Sequence, residues 1–256
     1  MSVERLKGAF SRRKALVTYL MGGDGGPDAT LAHVRACAAA GADVIELGFP
    51  FSDPIADGPV IQKAAMRAMA AGTTLASVLE LARRARAEVA VPLVLMGYLN
   101  PVLAHGVERL VKDCAAAGVD GLILPDLPPE EAGELRRLAR AHDVATVFFL
   151  APTSTAARER AVLESSTGFI YFVSVTGVTG ARTGVPDVGP QVQRIRAASQ
   201  VPVAVGFGIS GPQQAREMAA FADGVVVGSA LVERLARGEG PGPFVASLRA
   251  ALDEPR

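Results

Sequence analysis

The chain contains no tryptophan, two cysteines, three histidines and four lysines among 256 residues, and only 5% of it is aromatic. Each scarcity removes a class of chemistry. Cys37 and Cys114 stand far apart on alanine-rich segments, a spacing that fits neither a CxxC redox pair nor a zinc ligand set, and both read as small buried apolar residues. His33, His105 and His142 fall on helical stretches or at their ends, where they read as packing or surface residues rather than convergent metal ligands. Lys7, Lys14, Lys63 and Lys112 all lie outside the predicted strands, so no desolvated amine is offered for Schiff-base chemistry. No Ser/His/Asp constellation is evident.

Charge of one sign is also lacking. Twenty-six basic residues balance twenty-six acidic ones, so no net field recruits nucleic acid, and the arginine clusters at 83–86 and 136–140 read as solvated helix faces. The longest apolar run, 144–150, is far short of the roughly 20 residues of a membrane span. Residues 1–10 read as a short amphipathic helix without the apolar stretch of a signal peptide. The expectation is a soluble, cytoplasmic protein with neither a nucleic-acid nor a membrane partner.

What is present is a repeated unit. Ala38-Ala39-Ala40-Gly41-Ala42-Asp43-Val44-Ile45 recurs as Ala115-Ala116-Ala117-Gly118-Val119-Asp120-Gly121-Leu122, and loosely as Ala219-Ala220-Phe221-Ala222-Asp223-Gly224-Val225-Val226. Each copy is a helix end, a small-residue stop and the start of a buried strand. Reading outward predicts strands at 15–20, 44–47, 93–96, 122–124, 144–150, 169–173, 203–206 and 224–227. Helices are predicted at 29–40, 60–71, 75–87, 102–116, 130–142, 155–165, 191–198, 212–219, 230–237 and 244–252. Strands too apolar to have a wet face, alternating with helices, imply a covered parallel sheet. Eight such units predict a closed (β/α)₈ barrel with an extra N-terminal helix, one domain over 1–256; an open doubly wound sheet is the alternative.

Catalytic groups of such barrels come from the C-terminal ends of strands and the loops after them. Glu46 ends the second strand amid Val44, Ile45 and Leu47, and Asp57 lies in the loop that follows. Tyr98 and Asn100 follow the third strand, Asp126 the fourth, and Tyr171 lies on the sixth. Burial should raise the pKa of Glu46, whereas Asp57, in a polar loop, should stay ionised, so that one can donate a proton while the other accepts. Glycine-rich loops after strands six, seven and eight (Gly177 and Gly180, Gly206 and Gly208, Gly228) let backbone N–H groups approach an anion, and the last two lead into helix N-termini. The residues therefore point to acid/base chemistry on a phosphorylated substrate. At this level an isomerase or synthase acting on a phosphoribosyl or triose phosphate remains open.

The run Glu46-Leu47-Gly48-Phe49-Pro50-Phe51-Ser52-Asp53-Pro54-Ile55-Ala56-Asp57-Gly58, with Gly177-Val178-Thr179-Gly180, resembles the tryptophan synthase alpha subunit family, and the likeness extends from Ala15 to Ala230. The resemblance implies a lyase of tryptophan biosynthesis that cleaves indole-3-glycerol phosphate to indole and glyceraldehyde 3-phosphate. It implies Glu46 and Asp57 as catalytic acid and base and places Tyr171 beside Asp57. Thr179, brought in by a loop over 175–190 that acts as a mobile lid, would approach Asp57. Gly180, Phe207, Gly208, Gly228 and Ser229 would surround the phosphate, and Tyr19, Met96, Tyr98, Ile123 and Phe149 the indole ring. Asn100 and Asp126 would support a partner-facing rim. The family further implies no cofactor or metal in this chain, and a pyridoxal-phosphate-dependent beta subunit as partner in an alpha2beta2 heterotetramer.

Overall fold

In the computed structural model, residues 1–173, 188–206 and 208–254 are described. Twenty elements follow in order: α1 (Ser2–Ser11), β1 (Ala15–Met21), α2 (Pro27–Ala39), β2 (Val44–Gly48), α3 (Pro59–Ala70), α4 (Leu75–Glu88), β3 (Leu93–Met96), α5 (Leu99–His105), α6 (Val107–Ala117), β4 (Gly121–Ile123), α7 (Gly133–Ala141), β5 (Ala145–Leu150), α8 (Ala156–Ser165), β6 (Ile170–Val173), α9 (Gly189–Ala198), β7 (Val203–Gly206), α10 (Pro212–Ala219), β8 (Gly224–Val227), α11 (Ser229–Ala236) and α12 (Pro241–Asp253). The strands pair in parallel in sequence order, and β8 closes on β1, Ala15 opposite Gly224.

Period-2 alternation divides the strand residues between two cores. Val17, Val44, Val94, Ile123, Ala145, Val147, Ala204 and Val226 fill the barrel interior together with the rings of Phe169 and Tyr171. Leu16, Leu20, Ile45, Leu47, Leu93, Leu95, Leu122, Phe148 and Phe172 face the helices. Cys37 and Cys114 pack in this outer layer, buried and unoxidised, and burial pushes the Cys37 thiol up to about 12.

The predicted helix over 102–116 is instead two helices, α5 and α6. Gly106 takes φ 94° between them, a left-handed value that breaks the intrahelical ladder and that glycine adopts without steric cost. The helix predicted over 130–142 begins later, at Gly133.

At the N-terminal ends of the strands the repeated aspartates do one job three times. The carboxylates of Asp43, Asp120 and Asp223 accept the backbone N–H of Leu16, Leu93 and Val203 at 2.9, 2.8 and 2.9 Å, and their own N–H groups bond those residues' carbonyls. Arginines reach the same carboxylates: Arg13 and Arg249, Arg5 and Arg86, and Arg196. Helix α1 closes this end of the barrel. Leu6 is fully buried against Gly121 and Gly168, and the Phe10 ring lies 5.3 Å from that of Phe169 and against Gly224.

Candidate active site

At the opposite end, β2 carries Glu46 inward with 1% of its surface exposed, and among the described residues its Oε2 has no hydrogen-bond partner. Burial, and then the charge of Asp57, raise its pKa to about 8, so the carboxyl is predominantly protonated at neutral pH. The chain leaves β2 along the edge of β3, with the Phe49 N–H bonding the Met96 carbonyl at 2.9 Å. The Phe49 ring occupies the space beside Gly97, where any Cβ would stand 2.2 Å from it. This packing fixes where the acidic loop begins.

Asp57 ends that loop, just before the Gly58 N-cap of α3. It is half-buried, and burial raises its pKa to about 6 against the lowering effect of a hydrogen bond from Tyr98. The polar-loop expectation is corrected here: Asp57 is ionised at neutral pH by a narrower margin than an exposed aspartate. The Tyr98 hydroxyl also accepts the Ala56 N–H at 3.1 Å, so one side chain from the β3 end holds the loop and its acid together. Tyr171, assigned by resemblance to the side of Asp57, feels Glu46 more strongly than Asp57. Its hydroxyl lies against Gly206, where a Cβ would come within 2.5 Å.

Both acids open on one cavity of about 210 Å³. Of the sequence-predicted residues, Tyr19, Glu46, Asp57, Met96, Tyr171, Gly208, Gly228 and Ser229 line it. Tyr98 stands behind Asp57, Ile123 is fully buried in the inner core, and Phe149 is half-buried with its ring 4.8 Å from that of Tyr171. Thr179, Gly180 and Phe207 lie outside the described residues, as does most of the lid expected over 175–190. Asp126 accepts the Leu99 N–H on both carboxylate oxygens at 3.0 Å, capping α5, and Asn100 lies in that helix.

The sequence reading missed Gly58, Ile61, Ile209, Ser210, Val226, Ala230 and Glu233, which also line the cavity. Two carried a usable signal. Glu233 is four residues beyond Ser229 on α11 and so shares its face, and Ser210 lies in the glycine loop after β7. The same cavity is lined by Gly208 at φ 79°, and by Ser229 and Ala230 in the first turn of α11, whose N–H groups have no intrahelical carbonyl partner. The lysines lie elsewhere: Lys14, for example, donates to the Ala222 carbonyl at 2.6 Å, at the base of the barrel.

Comparison with known proteins decides among the phosphate-binding barrels. The family model described as tryptophan synthase alpha chain matches residues 7–251. The chain belongs to the tryptophan synthase alpha chain family. A member from Geobacter sulfurreducens is 52% identical over 262 residues, covering 98% of this chain and 99% of its own. One from Solibacter usitatus is 55% identical over 221 residues, covering 86% and 83%. Among solved structures, a Mycobacterium tuberculosis tryptophan synthase chain superposes with a TM-score of 0.89 at 38% identity, covering 99% of this chain and 97% of that one. A chain of the tryptophan synthase complex from Pyrococcus furiosus gives 0.84 at 33%, covering 93% and 98%. Among the described residues no helix is long and apolar enough to cross a membrane.

Proposed function

We propose that Glu46 and Asp57 are the proton donor and acceptor of the family's lyase reaction, the reverse-aldol cleavage of indole-3-glycerol phosphate to indole and glyceraldehyde 3-phosphate. Membership of the family gives the activity, which belongs to the last step of L-tryptophan biosynthesis. The observation that supports the assignment of residues is the pair itself. One carboxyl is raised to about 8 and the other to about 6, and both face a cavity that a helix N-terminus also lines.

The steps follow from that difference. Protonated Glu46 gives its proton to C3 of the indole ring while the Asp57 carboxylate takes the ring N–H proton, which leaves an indolenine. The Glu46 carboxylate then takes the proton of the side-chain hydroxyl on the carbon attached to the ring. The carbon–carbon bond breaks, its electrons flow into the ring, the aldehyde forms, and Asp57 returns the proton to nitrogen. Both acids end as they began. The electron sink is the indolenine, so neither a Schiff base nor a bound cofactor is needed in this chain. Ser229, Ala230 and Gly208 hold the phosphate, a role the family resemblance also assigns to Gly180 and Phe207. Tyr19, Met96 and Tyr171, which line the cavity, bound the space for the ring, with Phe149 packed behind Tyr171.

The single domain formed by residues 1–256 works in the cytoplasm with a beta chain that carries pyridoxal phosphate, as an alpha2beta2 assembly. The relative from Pyrococcus furiosus was solved as a tryptophan synthase complex, which supports the partnership. The rim loops containing Asp53-Pro54 and Pro125-Asp126-Leu127-Pro128 form the contact. Indole release from indole-3-glycerol phosphate by the chain, with and without an added beta chain, tests the reading. A Glu46→Gln variant working at the wild-type rate would remove Glu46 from the donor's role.

A further inference from the structure

We infer that the Tyr19 hydroxyl is a substrate-positioning group: it donates a hydrogen bond to the oxygen of the side-chain hydroxyl that loses its proton, and thereby aims that proton at Glu46. The inference rests on the reaction assigned above and adds a residue to it.

Tyr19 on β1 is the register partner of Glu46 on β2. The next inward position above Glu46 is Gly48, where a Cβ would stand 2.1 Å from the Tyr19 hydroxyl oxygen and 2.7 Å from Cζ. The hydroxyl therefore occupies the space over Glu46 that any other residue at position 48 would fill. The base of the same side chain faces β8: its Cβ lies 3.5 Å from where a Cβ on Gly228 would be, at the N-cap of α11. Tyr19 thus lies along the cavity wall with its hydroxyl beside β2 and its Cβ beside the loop that leads into α11.

A buried tyrosine hydroxyl ordinarily finds an oxygen or nitrogen partner. Among the described residues this one has the Sδ of Met21 at 4.0 Å, a weak acceptor. Tyr19 is 6% exposed and lines the cavity, so its hydroxyl can exchange that weak contact for an oxygen of the bound substrate. Burial, followed by the charges of Asp57 and Glu46, holds its pKa well above the usual tyrosine value, which keeps it a donor throughout the working range. A substrate oxygen that accepts from Tyr19 has its own proton left for the carboxylate below.

The test is Tyr19→Phe, which keeps the ring and removes one oxygen. The expected result is a loss of about three- to tenfold in kcat/KM for indole-3-glycerol phosphate, carried mainly by kcat. Indole-3-propanol phosphate, which has the ring and the phosphate but neither hydroxyl, should bind the variant within twofold of wild type, and the thermal midpoint should be unchanged. Equal losses with both ligands would assign Tyr19 to packing and overturn the inference, as would no loss with either. A wild-type chain unable to cleave indole-3-glycerol phosphate would instead overturn the reaction assignment, a result distinct from both.

Discussion

Asp120 accepts the backbone N–H of Leu93 at 2.8 Å while Arg5 and Arg86 bind the same carboxylate, so one side chain joins β3, the N-terminal helix and α4 at the base of the barrel. Burial raises the Asp120 carboxyl and lowers the Arg86 guanidinium, and each group offsets part of the other's desolvation. Removing one leaves the other buried and unpaired. Asp120→Ala is therefore expected to cost about 3 kcal/mol of stability, the lower end of the range because Arg5 can reach water. Asp120→Asn, which keeps an acceptor for Leu93, should cost less; urea unfolding of both variants makes the comparison.

The pH profile of kcat/KM should be bell-shaped. Asp57 must be ionised, so activity should rise through about pH 6, and Glu46 must hold its proton, so activity should fall through about pH 8. The charge of Asp57 contributes to raising Glu46, so Asp57→Asn should lower the Glu46 titration when it is followed by carboxyl ¹³C NMR. An unmoved Glu46 titration would show that burial alone sets its value.

Tyr98→Phe removes the hydrogen bond that lowers the Asp57 pKa and the acceptor of the Ala56 N–H. The acidic limb of the profile should move to higher pH, and kcat should drop roughly three- to tenfold as the loop loses its anchor. A drop in rate with the limb unmoved would separate loop anchoring from the tuning of Asp57.

The catalytic acid also has a stability cost with a defined sign. Because the folded-state pKa of Glu46 is raised, the penalty for its charge is absent below about pH 4.5, grows as pH rises, and is complete above about pH 8. Glu46→Gln should accordingly be close to neutral for stability at pH 4.5. At pH 9 it should stabilise the fold by an amount on the order of 4 kcal/mol. Denaturant unfolding at the two pH values measures the difference.

Much of this architecture is legible in the sequence because the strands carry it locally. The apolar runs at β1, β2, β3 and β8 and the recurring small-residue stop before an aspartate mark strand starts whatever the rest of the chain does. Glu46 was legible for the same reason, as a lone acid in such a run. What local pattern does not carry is tertiary. The Tyr98–Asp57 bond joins loops from two different strands, and the half-burial that raises Asp57 depends on how those loops pack. The break at Gly106 hides in an apolar periodicity that continues through it, since a single left-handed φ leaves the spacing of Val102, Leu110 and Cys114 unchanged.

The seating of α1 has a consequence for the order of assembly. Its Leu6 rests against Gly121 and Gly168, and its Phe10 against Gly224, so the berth for the first helix is built by β4, by the turn into β6 and by β8. This helix has nowhere to dock until β8, more than 200 residues later in the sequence, is in place. Residues 2–11 must wait, with two apolar side chains exposed, for a site that β8 completes.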